Sequence, residues 1–102
     1  MIYLKLHETE NGTIIAMCDE DLIGRVLEEG ELVLNIRDYS SFYAGEIINS
    51  SDADFEGEKI CSVNAIGKES VALAIKKGIV DEEHVKTIDN VPCAQSYVVP
   101  RK

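Results

Sequence analysis

Ile2-Tyr3-Leu4-Lys5-Leu6-His7, followed after Glu10-Asn11-Gly12 by Thr13-Ile14-Ile15-Ala16-Met17-Cys18, is the stretch that decides the fold. Ile2, Leu4 and Leu6 alternate with Tyr3, Lys5 and His7, the period-two pattern of a strand with one buried face. Asn11-Gly12 favours a tight turn, because both residues tolerate positive φ, and the apolar run from Thr13 to Cys18 returns as a second strand. The chain therefore opens with a β-hairpin.

Working outward, Asp19 is placed to cap a short helix, with Glu20 and Asp21 at the positive end of its dipole and Leu22, Ile23, Val26 and Leu27 on its buried face. Gly24 weakens that helix and Gly30 stops it. Leu32, Leu34 and Ile36 then alternate as a third strand. Tyr39 to Glu46 reads as a loop with aromatic anchors, leading into a short strand at Ile47 and Ile48. Ser51 with Asp54 resembles a capping pair that opens a helical region running to about Ala65, bent or ended by Gly67. From Lys68 to Lys77 the helical pattern is clear: Lys68, Glu69, Ala72 and Lys76 form the exposed stripe and Val71, Ala74 and Ile75 face inward. Gly78 closes it. Asp81 to His84 suggests one acidic helical turn, followed by a strand from Val85 to Ile88 and an extended segment from Gln95 to Val99 that Pro100 ends. No repeat, low-complexity tract or linker separates these elements, so residues 1–102 read as a single domain. The class is α+β: a small, mainly antiparallel sheet with an N-terminal hairpin, covered on one face by one or two helices.

The 102 residues are 45% apolar with two prolines, the profile of a chain that folds around a core. No apolar run approaches the roughly 20 residues a membrane helix needs, and the N-terminus has no signal-peptide pattern, which points to the cytoplasm. Cys18, Cys61 and Cys93 are an odd number spread far apart, so free thiols in a reducing compartment are expected. The net charge of −9 disfavours nucleic acid and anionic lipid as direct partners. That charge is lopsided: residues 1–58 hold 14 acidic and 3 basic side chains, a balance of −11, whereas residues 59–102 hold 5 and 7, a balance of +2. Such a split can orient a partner with a basic surface, such as a ribosomal or RNA-binding protein; the competing reading is a solvated acidic surface that promotes solubility.

Candidate chemistry is sparse. Asp52-Ala53-Asp54-Phe55-Glu56-Gly57 imitates the opening of a calcium loop, but its twelfth position is Val63 and its eighth Lys59, so an acidic helix start is the better reading. Cys18, Cys61, Cys93, His7 and His84 lack the close spacing of a zinc site. A thiol nucleophile needs a neighbouring histidine and an electropositive pocket; Cys93 with His84 is the least poor pair. No glycine-rich phosphate loop exists. Tyr39, Phe42 and Tyr43 beside Gly45 either anchor their loop to the core or stack on a ligand.

Leu4-Lys5-Leu6-His7, Cys18-Asp19-Glu20-Asp21-Leu22-Ile23-Gly24, Phe42-Tyr43-Ala44-Gly45-Glu46, Asn64-Ala65-Ile66-Gly67 and Val91-Pro92-Cys93-Ala94-Gln95, taken together, resemble the domain-of-unknown-function 424 family of small archaeal proteins. The resemblance implies a cytosolic archaeal protein of compact α+β fold, with no established activity and a genomic association with translation or RNA processing. Where the family's terminal motif reads Val-Pro-His-Ala-Gln, this chain has Cys93, which removes an imidazole base. The family-like motifs single out Phe42, Tyr43, Gly45, Asn64, Gly67, Pro92, Cys93 and Gln95 as candidate binding residues. Asn64 and Gln95 can each donate and accept at once, and capping or backbone bonding within the fold is the alternative for both.

The functional expectation is a non-enzymatic module that binds a basic protein partner, using the acidic first half and the Phe42 to Glu46 loop, without catalytic residues, metal or cofactor. The alternative is a small enzyme or metal-binding protein with a pocket of Cys93, Asn64 and Gln95. The protein is expected to be a monomer, or a homodimer joined through an edge strand or the aromatic loop.

Overall fold

The computed structural model describes residues 1–55, 57 and 59–97, Tyr97 through its backbone alone. In chain order the elements are β1 (Ile2–Thr9), β2 (Gly12–Asp19), β3 (Val26–Glu29), β4 (Leu32–Asn35), α1 (Ser40–Tyr43), β5 (Glu46–Ile48), β6 (Ile60–Ile66), α2 (Lys68–Lys76), β7 (Lys86–Ile88) and β8 (Val91–Tyr97). Single 3-10 turns lie at Glu20–Leu22, Ser50–Asp52 and Glu82–His84.

The N-terminal hairpin forms as its alternation predicts, with Leu4 opposite Met17 and Lys5 opposite Ala16. It sits inside a six-stranded sheet of order β5-β1-β2-β6-β8-β7, larger than the small sheet expected. The fold is α+β and the sheet mostly antiparallel; its exception is the parallel pair β2–β6. Parallel neighbours cannot be joined by a tight turn, so residues 20–59 make a long crossover. That crossover carries β3 and β4, which pair only with each other as a separate two-stranded ribbon.

Successive side chains of a strand point to opposite faces, and here both faces are apolar. On one, Ile15, Met17, Val63, Ala65 and Ala94 pack under Val71, Leu73 and Ala74 of α2, with Ala53, Phe55 and Val80 closing the edges. On the other, Ala16, Cys18 and Ile66 pack under Leu22, Leu27, Ile36 and Tyr43. The expectation of helices on one face therefore holds for α2 alone. The opposite face is covered by the β3–β4 ribbon and the one-turn helix α1.

Two helices expected from the sequence are not formed. The spacing of Leu22, Ile23, Val26 and Leu27 suits a helix, but the chain makes a 3-10 turn at Glu20–Leu22, turns at Gly24 with φ +82°, and becomes β3, which still buries Leu22 and Leu27. The region from Ser51 to Ala65 makes one 3-10 turn and then enters β6. Strand β6 is covered on both faces, by α2 on one and by the ribbon on the other, so its run of apolar residues lacks the alternation that marks a half-exposed strand. The last extended segment begins earlier than expected, at Val91; Val98, Val99 and Pro100 lie outside the described residues.

Helix α2 is fixed at its start by Asp19. The carboxylate at the end of β2 accepts the backbone N–H groups of Glu69 at 3.1 Å and Ser70 at 2.8 Å, donors that a helix cannot satisfy internally. Asp19 thus caps a helix, though α2 rather than the one that follows it in sequence. Gly67 makes the approach possible: at φ +106°, any Cβ there would run into that same carboxylate. The N-terminal ammonium pairs with Glu69 at 3.0 Å, which holds the Glu69 carboxyl below its ordinary value.

Replacing Asp19 by alanine should therefore lower stability by about 1–2 kcal/mol, a fall in Tm of several degrees for a chain of this size, while Asp19→Asn keeps most of the cap. Thermal unfolding of the two variants side by side checks this, since equal losses would mean that the cap contributes nothing.

Candidate functional site

The central strands and the ribbon above them leave a cleft. In the antiparallel pair β6–β8, Asn64 lies opposite Gln95 and Ile66 opposite Cys93, and β7 brings Lys86 opposite Cys93. Alternation turns these side chains to the face that β3–β4 and α1 cover. Above them, Leu34 and Asn35 of β4, Ile36 just after it and Tyr43 of α1 form the opposite wall. Two adjoining cavities of about 320 and 410 Å³ share Leu34, Tyr43, Asn64 and Gln95. One extends toward His84, Lys86, Ile88 and Cys93; the other toward Asn35, Ile36, Tyr39 and Phe42.

Strand β1 holds the aromatic wall in place. Lys5 Nζ donates to the carbonyl of Ser41 at 2.7 Å, and His7 Nε2–H donates to that of Phe42 at 2.8 Å. Carbonyls at the end of a helical turn are unsatisfied within it, so both bonds fill a need of the backbone. The His7 ring also stacks on Phe42, with centroids 4.4 Å apart and planes 11° from parallel, and Phe42 meets Tyr43 edge-on at 5.1 Å. Gly45 lets this loop close on β1, since a Cβ at that position would strike the Leu4 carbonyl oxygen. On the other side of α1, Ser40 Oγ donates to the carbonyl of Arg37 at 2.9 Å, and Asn35 and Asp38 bond reciprocally at 2.8 and 3.0 Å.

Burial sets the chemistry of the cleft. It pushes the Cys18 thiol, just beneath the cleft, up to about 12, with the charges of Asp19 and Asp21 adding to the effect. It raises the Tyr43 phenol to about 12 and the Cys93 thiol to about 11. Cys93 Sγ donates weakly to the carbonyl of Val91 at 3.5 Å. At neutral pH these groups are uncharged, and a thiol of this kind is a poor nucleophile and a poor metal ligand. Among the described residues no carboxylate lines either cavity, and Lys86 is the one lysine or arginine that does; the His84 ring nitrogen at the same end is 3.9 Å from an Asp81 carboxylate oxygen.

Of the residues singled out by sequence, Phe42, Tyr43, Asn64, Cys93 and Gln95 meet around this cleft. Gly67 and Pro92 line a separate depression of about 280 Å³ with Asp19, Asp21 and Lys68. Gly45 serves the close approach to β1. Leu34, Asn35, Ile36 and Lys86 carried no sequence signal of their own, because only the folding of the ribbon onto the sheet makes them neighbours. His7, considered as a metal ligand, is instead the clasp of α1. Among the described residues no three His, Cys, Asp or Glu side chains gather as a metal site. In the stretch that imitates a calcium loop, Ala53 and Phe55 are buried in the core.

A layered α+β fold, with a mixed sheet roofed by a β-ribbon over a cleft of amides and aromatics, is the class of structure these observations define. Residues 7–99 match the model of the family described as protein of unknown function, DUF424, and the chain belongs to that family. A crystal structure of an uncharacterized conserved protein from Methanopyrus kandleri is similar, with a TM-score of 0.80 and 28% identity over 99% of this chain and 94% of that one. That neighbour supports the archaeal origin implied by the motifs. No curated protein matches the chain.

A thiol raised from 9.0 to about 11 carries about a hundredfold less thiolate at pH 8, so Cys93 should react with a disulfide reagent correspondingly more slowly in the folded protein than after unfolding in guanidinium. Unfolding returns Cys18, Cys93 and Tyr43 to their ordinary values of 9.0, 9.0 and 10.0, and the unfolded chain then releases protons that the folded one retains. Their contribution to stability is complete below pH 9 and is lost as pH rises toward 11 to 12. Thermal midpoints measured from pH 8 to 10.5 should fall over that window; a flat profile would show that the three groups are not shielded.

Proposed function

We propose that the protein is a non-catalytic binding module that docks a basic protein partner on the tip of the β3–β4 ribbon. The observation that carries this reading is where the charge lies. Residues 20–58 contain 11 acidic and 2 basic side chains, a balance of −9, while the remainder of the chain is neutral, with 8 of each. The whole net charge of the protein therefore belongs to the crossover and none of it to the rest of the chain.

Within that crossover the ribbon combines charge with exposed apolar surface. Leu32 and Val33 are 56% and 60% exposed at its tip, beside Glu28, Glu29 and Glu31. A solubilising surface has no use for two such side chains side by side, whereas a protein contact needs an apolar centre within a charged rim. The ribbon is also held in place: Leu27 is fully buried beneath it, and Glu29 accepts the backbone N–H of Asp89 in the β7–β8 turn at 3.2 Å. Replacing Leu27 by alanine would cost about 2–5 kcal/mol, which sets the scale of the anchorage. Phe42 and Tyr43 turn inward, so the ribbon, more than the Phe42 to Glu46 loop, supplies the contact. Proteins of the translation or RNA-processing machinery have the basic surfaces this field would attract.

The alternative of a small enzyme or metal-binding protein draws on the meeting of Asn64, Cys93 and Gln95 in one cleft. With the Cys93 thiol protonated, that cleft offers neutral hydrogen-bonding groups in place of a nucleophile.

Affinity capture with the wild-type chain, and with a variant carrying Glu28→Lys, Glu29→Lys and Glu31→Lys together, tests the reading. A partner rich in Lys and Arg should be retained by the wild type alone. Its association rate should fall by about tenfold or more between low and high salt, with a smaller change in dissociation. A partner held equally by the charge-reversed ribbon would exclude this surface.

A further inference from the structure

The cleft beneath the ribbon lacks the carboxylates that crowd its tip, and it contains a polar group that the fold does not use. Asn64 lies on β6, a strand flanked on both sides, and is half-buried in the floor shared by both cavities. Its carboxamide makes no hydrogen bond to another described residue and is not sealed from water, so it is open to a ligand. Gln95 stands directly opposite on β8, which sets a second carboxamide about 5 Å away at Cβ. Aromatic side chains form the wall on one side, with Tyr39 at the rim and Tyr43 deeper.

One end of the cleft carries a lysine. Lys86 lies two strands from Asn64 and one step along the sheet, which places their Cα atoms roughly 12 Å apart. His84 stands beside Lys86, with Asp81 as its ionic neighbour. In a chain of net charge −9, a lining with Lys86 and without carboxylates disfavours the basic partner that suits the ribbon tip.

We propose that this cleft binds a mononucleotide, its base lying against the aromatic wall with its hydrogen-bonding edge on Asn64 and Gln95, and its phosphate toward Lys86. A single carboxamide, that of Asn64, matches the adjacent donor and acceptor of a base edge, with Gln95 beside it, and aromatic rings supply the stacking surface such a base takes. The two cavities are at the lower end of the size range of small-molecule sites. The glycine-rich loop that the sequence lacks serves to cradle a polyphosphate; a single phosphate near the cleft mouth needs one cation. Longer single strands are disfavoured, because the acidic crossover repels every further phosphate. The site is separate from the ribbon tip, and its binding does not depend on the protein partner.

The test is titration of the isotope-labelled protein with each of the four ribonucleoside 5′-monophosphates, followed by the backbone amide signals. The expected result is saturable shifts for at least one of them, concentrated at residues 34–36, 64, 86 and 93–95. The matching nucleoside should bind about tenfold more weakly, and ribose 5-phosphate should produce no saturable shift. Asn64→Ala should weaken binding about tenfold or more. Lys86→Gln, at an exposed position that leaves the fold intact, should abolish the advantage of the nucleotide over the nucleoside. A variant reversed only at Glu28→Lys and Glu31→Lys, which leaves the Glu29 anchor in place, should bind as the wild type does. No saturable shift with any nucleotide would overturn the proposal, as would affinity unchanged in the Lys86→Gln variant or tighter binding of a five-nucleotide single strand.

Discussion

Strands β2 and β6 are apolar on both faces, and the rest of the structure follows from the need to cover them. Ile15, Met17, Val63 and Ala65 require a layer on one side, and Ala16, Cys18 and Ile66 require one on the other. Water on either face would forfeit the burial that offsets the entropy of ordering the chain. Helix α2 provides the first layer, and the parallel pairing of β2 with β6 provides the means to the second. Such a pairing forces the chain to travel from one end of the sheet back to the other, and its β3–β4 and α1 part does so across the bare face. A ribbon, however, is a less continuous cover than a helix. Where β3–β4 and α1 meet above β6 and β8, their side chains do not fill the space between them, and the cleft is the result.

The same crossover accounts for the electrostatics. An element added outside the sheet can carry its charges in water, whereas the strands it covers cannot; the net charge accordingly collects in residues 20–58 while the remainder of the chain balances. The covered side of the ribbon is apolar through Leu27 and Leu34, and its tip is acidic. One two-stranded element thus separates a neutral, partly desolvated cleft from a strongly negative exterior. The fixing of α1 follows a related logic. Lys5 and His7 reach from β1 to the carbonyls of Ser41 and Phe42, so the basic side chains at one edge of the sheet hold down the aromatic wall.

Much of this fold was legible in the sequence where local pattern and tertiary environment agree. The helical stripe of Lys68 to Lys76 corresponds to an element with one buried side, and the alternations in Ile2 to His7 and Leu32 to Ile36 mark strands, although Leu6 and Leu32 are exposed. The errors fall where they disagree. Leu22 and Leu27 are both buried, as the helical spacing implied, but a turn at Gly24 and a strand bury them equally well. In β6, burial on two faces erased the alternation. Asp19 was legible as a cap, but the helix it serves is brought to it only by the β2–β6 pairing. The site shows the same division. The aromatic segment and the terminal Pro92-Cys93-Ala94-Gln95 stretch were visible as motifs, and Phe42, Tyr43, Asn64, Cys93 and Gln95 do meet. Leu34, Asn35 and Lys86 could not be found, because a side chain of ordinary type acquires its role from the element that folds over it.

The cleft's inner wall is set by the burial of Tyr43 and of the Cys18 and Cys93 thiols around it, while Tyr39, His84, Lys86 and Gln95 stand exposed at its mouth. Desolvation disfavours charged forms, which is why the Cys18 and Cys93 thiols and the Tyr43 phenol keep their protons. That suppresses the acid–base and nucleophilic chemistry these residue types support elsewhere. The same shielding strengthens a hydrogen bond between neutral groups, because water competes for it less and the field between donor and acceptor is less screened. The Asn64 carboxamide, half-buried but open to water, is free to exchange that water for the donor and acceptor of the proposed ligand. A cleft whose inner wall keeps its protons offers hydrogen-bonding and stacking partners, and these are what the proposed nucleotide site would use.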